Sequence, residues 1–127
     1  MKSISSPDCP APAGHYSQGT LHNGILYVSG MLPLAKDGEK KLGSIEEQTL
    51  QALENCEAVI KAAGASRKHV LKCTCYISDI ELWGRVNEVY AEFFGDHKPA
   101  RAVVPTKELH FGFQIEIDCV AVVETWA

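Results

Sequence analysis

Within Pro99-Ala100-Arg101-Ala102-Val103-Val104, Arg101 is the only strong cation among apolar and β-branched neighbours. Such a run reads as a buried strand, and a guanidinium there needs a planar anionic partner to offset its lost hydration. No helical neighbour at i,i+4 spacing supplies one. Two readings stand: an ion pair with a carboxylate elsewhere in the fold, or a clamp for a ligand carboxylate or phosphate. Glu116 and Asp118 alternate with Ile115, Ile117 and Cys119, so they share the face of a strand turned away from the core. Asp118 also has a plainer use, pairing with Lys72 across neighbouring strands.

Other reactive types point to less. Ser29 has no His and Asp in a triad arrangement, and Tyr16-Ser17-Gln18-Gly19 is not a GxSxG elbow, which argues against a serine hydrolase. The histidines His15, His22, His69, His97 and His110 are dispersed in loops and element ends and read as solvated or structural. Tyr16 and Tyr27 read as core or interface tyrosines. The five cysteines are scattered, with no CxxC and no zinc spacing, so no metal site is expected. Cys56, Cys73, Cys75 and Cys119 fall on apolar faces as reduced thiols, whereas Cys9, in a proline-flanked polar start, is expected at the surface.

The elements that position these residues follow from periodicity. Residues 1 to 13, with Pro7, Pro10 and Pro12, read as an irregular arm. Strand-like runs from His15 to Thr20 and from Ile25 to Gly30 flank Asn23-Gly24, a hairpin signal. Ser44 with Glu47 forms a capping box ahead of a helix whose apolar stripe runs from Ile45 to Ala63 and stops at Gly64. From Val70 to Ile77 the pattern alternates, with Leu71, Cys73, Cys75 and Ile77 on one side and Lys72, Thr74 and Tyr76 on the other. A second amphipathic helix carries Leu82, Val86, Val89, Tyr90, Phe93 and Phe94, capped near Asp79 and ended by Gly95. The Arg101 strand and a strand from Gln114 to Val123 complete the order β-β-α-β-α-β-β.

The 127 residues make one domain's worth of chain, 46% hydrophobic, enough for a core without staples. A net charge of -4 and no basic stripe make nucleic acid an unpromising partner. No apolar stretch approaches membrane length and the opening residues lack a signal-peptide core, so a cytoplasmic protein is expected. Two helices cover only one face of a sheet, yet several strands are apolar on both faces. Another copy of the chain is the expected cover, giving a homo-oligomer with packed sheets and interface clefts near Lys72, Glu116, Asp118 and Arg101.

Several motifs then agree on one family. Ala11-Pro12-Ala13-Gly14-His15-Tyr16-Ser17-Gln18, Tyr27-Val28-Ser29-Gly30 with Pro33, Gln48-Thr49, Gln51-Ala52-Leu53-Glu54-Asn55, Val86 to Phe94, Pro99-Ala100-Arg101 and Ile115-Glu116-Ile117 together resemble the RidA/YjgF family of reactive-intermediate deaminases. The resemblance implies a chorismate-mutase-like α+β fold, one mixed sheet with two helices on one face, assembled as a homotrimer. It implies cofactor-independent hydrolysis of 2-imino acids, such as 2-iminopropanoate and 2-iminobutanoate, to 2-keto acids and ammonia. Arg101 would bind the substrate carboxylate and Glu116 hold the attacking water, with Tyr16, Ser29, Gly30 and Asn87 lining or bordering the cleft. The chain departs from the pattern at Met31, where many members have Gln, at Val103, where many have Cys, and at His15, where Pro is common. Met31 and Val103 make the cleft more apolar, and Leu109 to Phe113 replaces a charged turn. They keep a rival open: a non-catalytic ligand-binding, chaperone-like or translation-inhibiting member, or a deaminase for a bulkier substrate.

Overall fold

The computed structural model describes residues 1–124; the last three residues of the expected 1 to 127 domain lie outside them. Ser44 Oγ accepts from the Glu47 amide at 3.1 Å and starts α1, Ile45–Ala62, whose inward stripe includes Ile45, Thr49, Leu53, Cys56, Val59 and Ile60. Asp79 accepts from the Glu81 amide at 2.9 Å and caps a 3-10 turn that leads into α2, Trp83–Phe94. Both helices lie on one face of a six-stranded mixed sheet, as expected.

The strands are β1 Lys2–Ile4, β2 Gly19–His22, β3 Ile25–Met31, β4 Val70–Ile77, β5 Ala100–Pro105 and β6 Ile115–Val122. They lie in the order β1-β2-β3-β6-β4-β5, antiparallel throughout except for the parallel pair β4 and β5. The β2–β3 hairpin closes through Asn23 and Gly24, both at positive φ (51° and 78°), the geometry a two-residue turn of this kind requires.

Four expectations give way. The first strand begins at Gly19 rather than His15, and the stretch before it is a loop carrying Tyr16. The arm is not wholly irregular, because Lys2–Ile4 pairs with β2 as an added edge strand. Nor is Cys9 at the surface: it is buried, and burial pushes its thiol up to about 11. The reason is Gln18, whose side chain accepts from the Ser6 amide at 2.6 Å and donates to the Ser6 and Pro10 carbonyls, reeling the proline-rich arm onto the core. In β4 a register shift between Val70 and Lys72 turns Leu71 outward, 47% exposed, so the inward set is Val70, Cys73, Cys75 and Ile77.

The face of the sheet away from the helices carries Thr74, Tyr76, Glu116, Asp118, Val120 and Val122, none of them fully buried. Tyr27 and Val104 stand on it 53% and 38% exposed, so the face mixes uncovered apolar groups with the carboxylates of Glu116 and Asp118. Among the described residues no helix is long and apolar enough to cross a membrane.

Candidate functional site

Arg101 lies on β5 opposite Cys73, on the helix side of the sheet, half-buried. Its Nη1 donates to Asn87 Oδ1 at 2.8 Å, and its Cζ sits 4.8 Å from the Tyr90 ring centroid and 5.9 Å from that of Trp83. Asn87, Tyr90 and Trp83 come from one face of α2, three or four residues apart. No carboxylate pairs with Arg101 among the described residues: the four ion pairs there use Glu39, Glu57 twice, and Glu46. Of the two readings of the sequence, the internal ion pair is therefore the one the geometry does not support. A neutral amide oxygen occupies one prong of the guanidinium, and the rest borders a cavity of about 430 Å³ shared with Tyr90, Lys98 and Pro99. Burial pushes the Tyr90 phenol well above its ordinary range, which keeps it neutral beside the cation.

Glu116 belongs to a second constellation. It lies on β6 level with Tyr76, on the face away from the helices, and makes no hydrogen bond among the described residues. The pairing of β3 with β6 slips between Val28 and Met31, leaving Ser29 and Gly30 in a bulge. Gly30 leaves room for the Glu116 carboxylate, which a Cβ there would push out of its present position. Ser29 Oγ donates to the Ser17 carbonyl at 2.6 Å, a bond that holds the Tyr16 loop against the bulge. Met31 is buried opposite Ile117 and lines a cavity of about 360 Å³ with Tyr16, Gly30, Leu34, His110 and Phe111.

Buried amides fix the loops around this cavity. Asn55 Nδ2 donates to the Leu32 and Leu34 carbonyls at 3.1 and 2.8 Å, and Gln48 Oε1 accepts from the Gln114 amide at 2.8 Å. With Gln18 they account for three of the buried polar side chains in the core, each spent on holding a loop.

Burial pushes the Glu116 carboxyl above the usual carboxylate range, Asp118 pushes it the same way, and His110 pulls it back. His110 thus belongs to this constellation rather than to the solvated histidines, whereas His69 accepts from the Ser66 amide and His97 bonds the Val70 carbonyl as structural groups. Asp118 does not pair with Lys72: Thr74 lies opposite it, and its Oδ2 accepts from the Tyr76 hydroxyl at 3.2 Å.

One chain does not bring Arg101 and Glu116 together. β4 separates their strands, so two strand spacings, about 10 Å, lie between them, and the two side chains leave opposite faces. Val103 stays with Arg101, packed against the core opposite Cys75, while Met31 turns inward with Ile117 and joins the other constellation only through the cavity it shares with Tyr16 and Gly30. The expected site residues therefore form two half-sites. Tyr90, Trp83, His110 and Phe111 join them although no motif marked them. Only the altered Leu109 to Phe113 segment gave a hint.

The sequence pattern of the endoribonuclease L-PSP family matches residues 6–123. A RutC family protein of Aquifex aeolicus is 38% identical over 124 residues, covering 96% of this chain and 99% of its own length. Rat 2-iminobutanoate/2-iminopropanoate deaminase is 38% identical over 122 residues, 95% of this chain and 89% of its own. The structure of E. coli TdcF with bound serine superposes with a TM-score of 0.92 at 31% identity, covering 98% of this chain and 100% of that one.

Proposed function

The chain belongs to the endoribonuclease L-PSP family, the RidA/YjgF group its motifs resemble, and from that membership we propose a cofactor-independent hydrolase of 2-imino acids. Its clefts lie between subunits of a homotrimer, where Arg101 of one copy meets Glu116, Gly30 and Tyr16 of the next. The observation that carries this reading is Arg101 itself: a half-buried guanidinium, stacked on aromatic rings, whose only hydrogen-bond partner among the described side chains is a neutral amide. An arginine so placed can take a planar carboxylate with two parallel bonds. The uncovered apolar sheet face supports the assembly, since two half-sites on opposite faces are useful only when copies pack together.

The chemistry needs little else. Arg101 holds the carboxylate of the imino acid, and the outer edge of β5, where no strand pairs, offers carbonyls to the iminium N–H groups. Glu116 orients a water toward the C=N carbon and takes its proton. The new C–O bond gives a carbinolamine; the C–N bond then breaks, nitrogen leaves as ammonia with the water's protons, and oxygen remains as the keto group. The name of the rat relative and the serine bound to the bacterial one are consistent with a small α-amino-acid skeleton in this cleft. RNA cleavage, which the family's name suggests, has weaker support, because a chain of net charge -4 attracts a polyanion poorly. Five unpaired thiols suit the reducing cytoplasm as its compartment.

An amino-acid oxidase that generates 2-imino acids in situ gives the test. Added protein should speed formation of the 2-keto acid and ammonia, and the Arg101→Ala variant should not. No acceleration for any imine, or an alanine variant as active as the parent, would refute the reading.

A further inference from the structure

We propose that the cavity beside Glu116 is a seat for an apolar substrate side chain, so that the protein prefers 2-imino acids of leucine to phenylalanine size over the alanine-derived one. This rests on the imine-hydrolase reading of the cleft and names its substrate class.

The argument begins with the substrate's shape. Its reacting carbon is planar and carries three groups: a carboxylate, a nitrogen and a side chain. Arg101 takes the first and the β5 edge the second. The third must point along the remaining wall, the one that starts at Gly30 and Glu116. In this chain that wall opens into the cavity of about 360 Å³, at the small end of the range for ligand pockets. Its floor is Met31 with Leu32 and Leu34, its far side Phe111, and its roof the proline-rich arm at Pro10. Tyr16, Gln18 and His110 are its polar lining; the remaining walls offer water few hydrogen-bond partners and gain from covering methylene groups.

The cavity is also preformed. Asn55 pins the carbonyls of Leu32 and Leu34, and Gln18 pins the arm through Pro10. Phe111 is held at φ 59°, a left-handed conformation unusual for a bulky residue, with its ring 57% exposed. Lys40 Nζ lies 4.7 Å from that ring's centroid and Phe113 packs edge-on at 6.0 Å, so the ring is propped in place at the cavity wall. A backbone strained to present an exposed phenylalanine has no evident use in folding this loop. Lining a seat gives it one.

The experiment supplies imines from alanine, leucine and phenylalanine through an amino-acid oxidase and reads kcat/KM for each. Leucine- and phenylalanine-derived imines should exceed the alanine-derived one by at least about tenfold, the discrimination that added methylenes give in an apolar pocket. Ala13→Phe, which fills the mouth of the cavity, and Met31→Gln, which makes its floor polar, should each reduce that ratio. A preference for the alanine-derived imine, or a ratio moved by neither variant, overturns the proposal. If no imine is hydrolysed, the hydrolase reading is what fails, and equilibrium binding of keto acids then judges the seat. Tighter binding of 4-methyl-2-oxopentanoate than of pyruvate upholds it, and equal binding removes it.

Discussion

Arg67 and Arg101 begin alike and end differently. Both guanidiniums stack on an aromatic ring of α2, Arg67 on Phe93 at 3.8 Å and Arg101 on Tyr90 at 4.8 Å. Arg67 spends the rest of its donors inside the chain: two bonds to the Glu57 carboxylate at 2.5 and 2.9 Å and one to the Phe93 carbonyl at 2.7 Å. Both border a cavity, but Arg101 has one side-chain bond among the described residues, to a neutral amide. The difference separates an arginine that holds a fold from one kept in readiness. Burial and stacking are common to both, and what decides is whether a carboxylate of the same chain closes the fork.

Exchanging the roles of the two should break the comparison if it is wrong. Arg101→Ala is expected to lower kcat/KM for imine hydrolysis by about a thousandfold or more, the effect of losing a bidentate substrate clamp and the orientation it gives. Its thermal midpoint should stay near the parent's. Arg67→Ala should do the reverse, costing about 2 kcal/mol in denaturant unfolding because Glu57, 12% exposed, loses its two short bonds to the guanidinium and keeps only the longer contact with Lys61 at 3.8 Å, with turnover per folded protein unchanged. Loss of stability in the Arg101 variant, or loss of turnover in the Arg67 variant, would reverse the assignment.

A smaller effect sharpens the other half-site. Because burial raises the Glu116 carboxyl, the ionised base is lost as pH falls through that raised value, so the acid limb of the kcat profile should lie above the ordinary carboxylate range. Asp118→Asn removes a like charge and should move the limb to lower pH; His110→Gln removes the opposing influence and should move it up. The same burial makes ionised Glu116 a cost to the fold: absent below its unfolded pKa, it is fully present above the raised one. Glu116→Gln should accordingly raise stability at neutral pH, slightly, in a denaturant titration, while lowering turnover. A limb that ignores all three changes would show that Glu116 is not the titrating base.

Much of the scaffold was legible in the residues. Asn23-Gly24 specified its hairpin, Ser44 with Glu47 specified the start of α1, and the alternation after Gln114 put Glu116 and Asp118 on the outer face, each through a local rule acting over a few residues. Misplacements came where tertiary contacts overrode local pattern. The proline-rich arm hid β1 and a buried Cys9, because its anchor is a single Gln18 side chain twelve residues away in sequence from Ser6. Leu71 faced the wrong way because the register shift between Val70 and Lys72 interrupts the alternation at that one position, which holds again from Cys73 onward. In the site, Arg101, Glu116 and Gly30 were marked by type and by family motif. The Asn87 partner, the Tyr90 ring and the approach of His110 to Glu116 depend on which strands and loops become neighbours, and spacing within one element carries no record of that.

The central claim is that neither half-site works alone and that each cleft draws Arg101 and Glu116 from different copies. Mixing the inactive Arg101→Ala and Glu116→Gln chains, by co-refolding or co-expression, measures it directly. If the proposed trimers assemble at random, they should recover about a quarter of the parent activity, the share of clefts left with both groups intact. A mixture as inactive as its components would mean that both residues serve from the same chain, contrary to the account.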